Sequence, residues 1–198
     1  MTERSSRRTQ YTRAAIKDAF LDLVAKGGWR RLSVTLLCRK ADIARATFYL
    51  HYANLGEVLT DVLIDAFQIQ EETSAHFFAR LRQTAEAGRL TEDSFLPLCQ
   101  RAAESPKYRA LLLDPDLPGP ILSFLYDMAK DSMVPVIMRT ASLSRPEAEI
   151  LFRFLLQGSF AVNTALGWEQ NDRWYAMQDL IFRFKLGGLA SLQKGKAK

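Results

Sequence analysis

The chain has 198 residues, of which 48% are hydrophobic and 25% are charged. This balance is typical of a folded globular protein and excludes a disordered chain, which buries too little apolar surface to offset its conformational entropy. The longest stretch without a charged residue, 154–168, has 15 residues, fewer than the roughly 20 that a membrane-spanning helix needs. The N-terminus lacks the continuous apolar segment of a secretory signal, so we expect a cytoplasmic protein that does not enter a membrane.

Positive charge is concentrated at the start of the chain. The formal net charge is +5, but residues 1–52 carry 11 Lys and Arg against four Asp and Glu, and residues 53–198 carry 16 against 18. An excess of this kind in one segment indicates a polyanionic partner, either a nucleic acid or an anionic membrane surface.

Apolar residues recur at helical spacing along nearly the whole chain and no segment alternates as a strand does, which predicts an all-α fold. In the first half, caps and glycines divide the chain. The predicted elements there are a flexible basic arm (1–10), a helix ending at Gly27-Gly28 (11–26), a short helix capped by Ser33, a second short helix (44–52), and a helix capped by Asn54 that continues to about residue 87.

The second half of the chain is predicted to contain longer helices, with most prolines placed at their first turns or in the breaks between them. Pro135 is the exception, and we expect it to kink the helix over 121–141. The capping-box pattern at Ser144–Glu147 marks the start of one of them. The predicted elements are a helix from about residue 94, a short helix opened by Ser105-Pro106, a proline-rich break (114–120), and helices over 121–141, 145–167 and 173–192.

Residues 33–52 are the most informative stretch, because two short helices joined by a tight turn have the layout of a helix-turn-helix. In such a motif the second helix enters the major groove of DNA, and its outward side chains contact bases and phosphates. The apolar residues predicted to face inward are Val34, Leu37, Ile43, Phe48 and Tyr52. The residues predicted to face outward are Arg45, Ala46, Thr47, Tyr49 and His51.

The run from Ala14 to Leu59 resembles the N-terminal domain of TetR/AcrR-type transcriptional regulators. The segment ADIARATFYLHY is similar to the branch that contains dihydroxyacetone-kinase-type regulators. The positions that carry the resemblance are Gly28, Ser33, Val34, Leu37, Ala41, Thr47, Phe48, Tyr49, His51, Tyr52, Asn54 and Leu59.

The resemblance implies a DNA-binding domain over 1–53 and a C-terminal effector-binding and dimerisation domain over 54–198. It implies a ligand-responsive regulator, most simply a repressor that binds a palindromic double-stranded operator as a homodimer. An activator, or a coactivator with weakened DNA binding, is the alternative. The DNA contacts that follow by position are Ser33, Thr35, Arg39, Arg45, Ala46, Thr47, Tyr49, His51 and Tyr52.

Three positions depart from the pattern of this family. Asp42 stands where the turn has glycine, Ala44 stands where the recognition helix begins with serine, and Leu55 stands where the fourth helix has lysine. Aspartate tolerates a left-handed turn conformation better than most residues, whereas alanine cannot cap a helix. We expect the basic residues nearby to replace the lost phosphate contact: Arg4, Arg7, Arg8, Arg13, Arg30, Arg31 and Lys40.

The last two long helices are the expected dimer surface, as the resemblance implies a four-helix bundle across a twofold axis. Intramolecular core is the alternative for the same apolar stripes, which are Leu151, Phe152, Leu155, Ser159, Val162 and Leu166, and Met177, Leu180, Ile181 and Phe184. An unidentified small-molecule effector is expected in the C-terminal domain. Its candidate lining residues, each of which is ordinary core in the alternative interpretation, are Phe95, Cys99, Tyr108, Phe124, Met128, Phe152, Gln157, Phe160 and Asn163.

Other functions find little support in the sequence. Cys38 and Cys99 are 61 positions apart without a nearby histidine pair, so we interpret them as buried apolar residues and expect no metal or other cofactor. No set of catalytic residues or phosphate-binding loop is present, which argues against an enzyme. A membrane-binding basic first helix remains a further alternative, although Asp18 and Asp22 lie on its polar face.

Overall fold

The computed structural model describes residues 3–67 and 102–194, and this part of the chain is helical without any strand. The prediction of an all-α fold is confirmed there. The α-helices are α1 (Glu3–Gly27), α2 (Val34–Ala41), α3 (Arg45–His51), α4 (Leu55–Ala66), α5 (Pro106–Leu113), α6 (Pro118–Ala141), α7 (Arg145–Ala165) and α8 (Asp172–Lys194), with a 3₁₀ turn at Trp29–Arg31 between α1 and α2.

The chain divides into two compact units. Among the described residues, unit 1 comprises 3–67 and 102–118, and unit 2 comprises 119–194. Unit 1 therefore contains α1 to α5, and unit 2 contains nearly all of α6 together with α7 and α8. The functional boundary predicted between residues 53 and 54 stays a prediction.

The first helix begins earlier than the sequence predicted. Residues 3–10 belong to α1 rather than to a flexible arm. No proline or glycine precedes Gly27, so nothing interrupts the hydrogen-bonded turns once the helix is formed. The helix ends as predicted at the glycine pair, where Gly28 adopts a φ of 77° that only glycine enters at no steric cost.

The core of unit 1 forms where α1 packs against α2, α3, α4 and α5. From α1 come Ile16, Phe20 and Val24, which recur at helical spacing and are all buried. Phe48 of α3 and Val62 of α4 are buried completely. Burying each such side chain stabilises the fold by roughly 1.5–3 kcal/mol, so this packing holds the short helices α2 and α3, which are too short to be stable alone.

In unit 2, α6 and α7 share a core of Tyr126, Ala129, Val134, Ile137, Ala148 and Phe152. The predicted capping box is confirmed, since the Ser144 side chain accepts from the backbone of α7 and Glu147 accepts from the Ser144 backbone N–H. The start of α6 differs from the prediction, because Pro118 and Pro120 lie within its first turn. First-turn N–H groups have no intrahelical partner, so prolines there remove no hydrogen bond.

The fourth helix is shorter than predicted, because α4 ends at Ala66 and Phe67 follows as a turn. The rest of its predicted course lies outside the described residues. The same holds for the helix expected from about residue 94 and for the candidate ligand residues Phe95 and Cys99. Within the described ranges, no helix is both long enough and apolar enough to cross a membrane.

Candidate nucleic-acid interface

The two short helices predicted as a helix-turn-helix are present and their junction is closed by local hydrogen bonds. Ser33 caps α2, its Oγ accepting from the backbone N–H of Leu36 at 3.2 Å. After α2, Asp42 adopts the left-handed conformation with φ 53° and ψ 49°, as expected of the residue that replaces the turn glycine. The N–H of Ile43 then donates to the Cys38 carbonyl at 3.0 Å, which turns the chain into α3.

The inner face of α3 fixes the orientation of this helix. Phe48 is completely buried, and its ring centroid lies 6.0 Å from that of Tyr52. Leu37 of α2 is also buried, and α2 contacts α3. Three of the five residues predicted to face inward are thus buried, and the other two, Val34 and Ile43, are half-buried.

The opposite side of α3 is open to solvent. Arg45, Ala46 and Tyr49 are exposed, and Thr47 and His51 are half-buried. Arg45 Nη2 donates to the Tyr49 hydroxyl at 3.5 Å, and this hydrogen bond raises the pKa of Arg45 above its ordinary value. We call Arg45, Ala46, Thr47, Tyr49 and Leu50 the outer face of α3.

Leu50, which is not among the predicted DNA contacts, also belongs to this outer face. Its side chain is 82% exposed. The signal was present in the sequence, because an apolar residue two positions after the inward-facing Phe48 points away from the core of an amphipathic helix.

The predicted DNA contacts on α2 and at its N-cap are also accessible. Ser33, Thr35 and Arg39 are all exposed. Cys38, between them, is buried, and burial raises the pKa of its thiol, while the positive charge of Arg45 acts in the opposite direction. Cys38 therefore behaves as the small buried apolar residue that the sequence analysis expected.

Tyr52 requires a correction, because the structure places this predicted DNA contact in the interior. Its side chain is 3% exposed, and its hydroxyl donates to Asp61 Oδ2 at 2.5 Å. The guanidinium of Arg13 lies over its ring, 5.1 Å from the centroid. Tyr52 therefore joins α3 to α1 and α4, with its polar group already engaged.

Asp61 is the centre of a charged cluster that links these three helices. Arg13 Nη2 lies 3.0 Å and Lys17 Nζ 3.6 Å from its Oδ2. Burial raises the pKa of Asp61, but the hydrogen bonds from Tyr52 and Arg13 and the charges of Lys17 and Arg13 together hold it below its ordinary value. The carboxylate therefore stays ionised near neutral pH.

Several basic residues that were expected to contact phosphates are paired with acids inside unit 1. Arg13 pairs with Asp61, as described above. Arg30 Nη2 lies 3.0 Å from Asp116, and Lys40 Nζ lies 3.2 Å from Asp22. These pairs leave the Arg30 side chain 84% exposed, so it can exchange its partner for a phosphate at little cost.

The beginning of α3 has the property expected from the loss of serine. Ala44 makes no side-chain hydrogen bond to α3, and its carbonyl accepts the first helical bond, from Phe48 N at 3.1 Å. The fourth helix is capped normally, since Asn54 Oδ1 accepts from Glu57 N at 3.0 Å. Leu55, in place of lysine, is half-buried.

The candidate effector residues do not all lie in one unit. Tyr108 belongs to α5 in unit 1, whereas Phe124, Met128, Phe152, Gln157, Phe160 and Asn163 belong to unit 2. Phe152 is part of the α6–α7 core, and Gln157 is exposed. A cleft of about 460 Å³ lies in unit 1 and is lined by none of these residues but by Trp29, Arg30, Leu32, Leu55 and Asp116.

Asn163, one of the candidate effector residues, carries a buried amide whose hydrogen-bond partners lie within unit 2. Its Oδ1 accepts from Trp174 Nε1 at 2.7 Å and from Gln178 Nε2 at 3.3 Å, while its Nδ2 donates to the Ser159 carbonyl at 2.8 Å. The amide therefore joins α7 to α8 and needs no ligand to be satisfied.

The predicted dimer stripe divides between core and surface. On α7, Leu151, Phe152 and Leu155 pack in the core of unit 2. The large exposed apolar residues of α7 are instead Ile150 and Phe154, each one position before a core residue. On α8, Leu180 and Phe184 are exposed, whereas Met177 and Ile181 are half-buried. The dimer contact itself stays a prediction.

Comparison with known proteins relates part of the chain to a regulator. No family model matches the chain. A segment of 58 residues, 29% of this chain, is 43% identical to a protein described as an uncharacterized HTH-type transcriptional regulator, YxbF, of Bacillus subtilis (strain 168). The matched segment spans only 15% of that relative. The similarity is therefore of the size of one small domain.

Proposed function

We propose that the protein is a DNA-binding transcriptional regulator that contacts the major groove with the outer face of α3. The single observation that carries this proposal is the exposure of Arg45, Ala46 and Tyr49 on a helix whose opposite side is anchored by the fully buried Phe48. A rod held in this way projects its side chains toward a partner. The 43% identity of a segment to an HTH-type regulator supports the same function.

The chemistry of the exposed residues suits a duplex. Arg45 offers a guanidinium that can bond the O6 and N7 atoms of guanine, and the small side chains of Ala46 and Thr47 allow close approach to the base edges. Tyr49, together with Thr35 and Arg39 of α2, has donors for phosphate oxygens. We propose that Tyr52 acts indirectly, by holding α3 against Asp61.

We propose that two copies of the chain associate through α7 and α8. Exposed Ile150 and Phe154 of α7, and Leu180 and Phe184 of α8, give apolar surface that a partner would remove from water. A twofold axis between two copies repeats the same patch on each subunit and presents two copies of α3. The operator would then be a palindrome.

We further propose that the protein is a TetR/AcrR-type repressor that responds to a small molecule. This part of the proposal rests on the resemblance of residues 14–59 to the N-terminal domain of that family. The residues 1–53 would bind DNA and 54–198 would bind effector and partner. An effector that favours one conformation of the dimer would shift the DNA-binding equilibrium by its difference in affinity. No part of this proposal requires an enzymatic activity, a metal or another cofactor.

A second candidate is an activator or coactivator of the same fold with weaker DNA binding. The observation that favours it is the absence of a side-chain cap at Ala44, since a serine there would stabilise α3 by about 1 kcal/mol. Leu55 also lacks the charge that a lysine would direct at a phosphate. Tight binding of a defined sequence would exclude the coactivator.

The test is selection of bound sequences from random double-stranded DNA with the purified full-length protein. We expect a palindromic consensus, with an affinity that falls steeply as salt concentration rises because phosphate contacts release counterions. Failure to enrich any sequence at any salt concentration would overturn the proposal.

A further inference from the structure

The most exposed large apolar side chain in the described part of the chain is Leu50, at 82%. It lies on α3, directly on the side opposite the core. Because each residue of an α-helix advances by about 100°, Leu50 is turned by about 200° from Phe48, whose side chain is completely buried. Ala46, four positions earlier, lies on the same line along the helix.

The outermost line of the outer face is therefore apolar, while the polar residues flank it. Arg45 and Tyr49 lie toward one side of this line and Thr47 toward the other, as the same angular spacing requires. A partner that presents an apolar group between polar ones would match a line of this kind. Water offers no such group, so the exposed leucine gains only when a partner covers it.

Double-stranded DNA is the occupant that the charge of the segment selects. Residues 1–52 carry 11 Lys and Arg against four Asp and Glu. Within this segment, Arg39 of α2 and Arg45 of α3 are both exposed. At the floor of the major groove the base edges carry donors and acceptors, with one apolar group among them, the C5-methyl of thymine. A helix that enters the groove brings its outermost line nearest to that floor.

We propose that Leu50, supported by Ala46, contacts the C5-methyl group of a thymine in each half of the bound DNA site and so makes that thymine a preferred base. This inference rests on the proposed function and adds to it a residue that determines sequence preference. Leu50 has no donor or acceptor, so its preference is for the methyl group rather than for a hydrogen-bonding pattern.

The consequence is a base position whose preference depends on one methyl group. Burying a group of this size is worth about a fourfold change in affinity. Replacing thymine by deoxyuridine removes the methyl and leaves every hydrogen-bonding group of the base pair unchanged. Deoxyuridine scanning therefore isolates the contact of Leu50 from those of Arg45 and Thr47.

The experiment starts from the consensus that the wild-type protein selects. Each thymine of one half-site is replaced in turn by deoxyuridine, and dissociation constants are measured for the wild type, Leu50→Ala, Leu50→Gln and the control Leu113→Ala. Leu113 is also a partly exposed leucine of unit 1, but it lies on α5. Since Leu50 is exposed, its variants are expected to unfold at the same urea concentration as the wild type.

We expect one thymine at which deoxyuridine weakens binding by about fourfold in the wild type and in Leu113→Ala, and by less than about 1.5-fold in both Leu50 variants, where the methyl has lost its partner. The same fourfold effect in the Leu50 variants would overturn the inference while the proposed function stands. A selected consensus without thymine would also overturn it. If the wild type selects no sequence, the proposed function fails and this inference fails with it.

Discussion

The carboxylate of Asp114 accepts a hydrogen bond from the backbone N–H of Trp29 at 2.7 Å, although the two residues are 85 positions apart. Trp29 opens the 3₁₀ turn that leads from α1 into α2, and Asp114 follows the last residue of α5. The same carboxylate accepts from the N–H of Asp116 at 2.9 Å. Asp114 thereby fixes the segment that precedes the helix-turn-helix.

Removing this carboxylate should destabilise unit 1. In Asp114→Ala the N–H of Trp29 loses its partner in a half-buried position, which costs about 1–3 kcal/mol of unfolding free energy. Asp116→Ala is the control, because its ion pair with the exposed Arg30 is worth less than about 1 kcal/mol. Urea unfolding followed by tryptophan fluorescence measures both; equal losses in the two variants would contradict the role given to Asp114.

Tyr49 on α3 and Tyr52 at its C-terminal end should differ in what the loss of the hydroxyl group changes: DNA affinity for Tyr49, and stability for Tyr52. Tyr52→Phe removes the hydrogen bond to Asp61 and should lower the unfolding free energy by about 1 kcal/mol, with little change in DNA affinity of the folded protein. Tyr49→Phe, at an exposed position, should leave stability unchanged and weaken DNA binding by about 1 kcal/mol. The pair is measured by urea titration and by fluorescence anisotropy. A larger effect of Tyr52→Phe on binding than of Tyr49→Phe would contradict the buried placement.

The lowered pKa of Lys185 on α8 should make the stability of the protein depend on pH in the alkaline range. Its Nζ donates to Ser159 Oγ at 2.6 Å, and burial lowers its pKa to about 8. Below pH 8 the folded chain must hold a charged ammonium group in a half-buried position. Between pH 8 and the ordinary lysine pKa of about 10.4, the unfolded chain binds more protons than the folded one, so this group makes stability rise with pH.

Lys185→Met should therefore stabilise the protein by roughly 2 kcal/mol at pH 7, and this gain should shrink as pH rises from 8 to 10. Urea midpoints measured at several pH values for wild type and variant test the prediction. Lys130→Met is the control, because the hydrogen bond to Asp127 outweighs the effect of burial and raises the pKa of Lys130 above its ordinary value. A gain in Lys185→Met that is independent of pH would contradict the assignment.

The proposed subunit contact can be broken by one charge. Phe184 on α8 is 70% exposed, so Phe184→Glu should not unfold the subunit but should place a carboxylate in the dimer interface, at a cost of several kcal/mol. We expect a monomer in sedimentation experiments at micromolar concentration and at least tenfold weaker binding to a palindromic site. Leu113→Glu, an exposed position on α5, should change neither. A Phe184→Glu protein that stays dimeric would exclude this face as the contact.

Much of the local structure could be predicted because its causes are local. The caps at Ser33 and Asn54, the capping box at Ser144, and the left-handed turn at Asp42 each depend on residues within four positions of one another. The helical period likewise selected Phe48 and Leu37 for the core. The turn that separates α2 from α3 followed from the same signals.

The remaining features depend on partners far along the chain or on a choice between two apolar faces. The hydrogen bond between Trp29 and Asp114 spans 85 positions, and the spacing of apolar residues along the chain cannot predict such a contact. On α7, apolar residues occupy two neighbouring faces of the helix. The sequence alone therefore does not show that Leu151 and Leu155 face the core while Phe154 faces solvent. Of the candidate site, the exposed residues of α2 and α3 were predicted, apart from Leu36 and Leu50.

The affinity of Arg45→Ala for DNA tests the central claim most directly. Binding is measured by fluorescence anisotropy to the consensus that the wild type selects and to a scrambled duplex of equal length and composition, with Arg139→Ala of α6, also exposed, as the control. We expect Arg45→Ala to weaken binding to the consensus by about 1–3 kcal/mol and binding to the scrambled duplex far less, with the control unchanged on both. Equal weakening on the two duplexes, or none on the consensus, would contradict the claim that the outer face of α3 reads the DNA sequence.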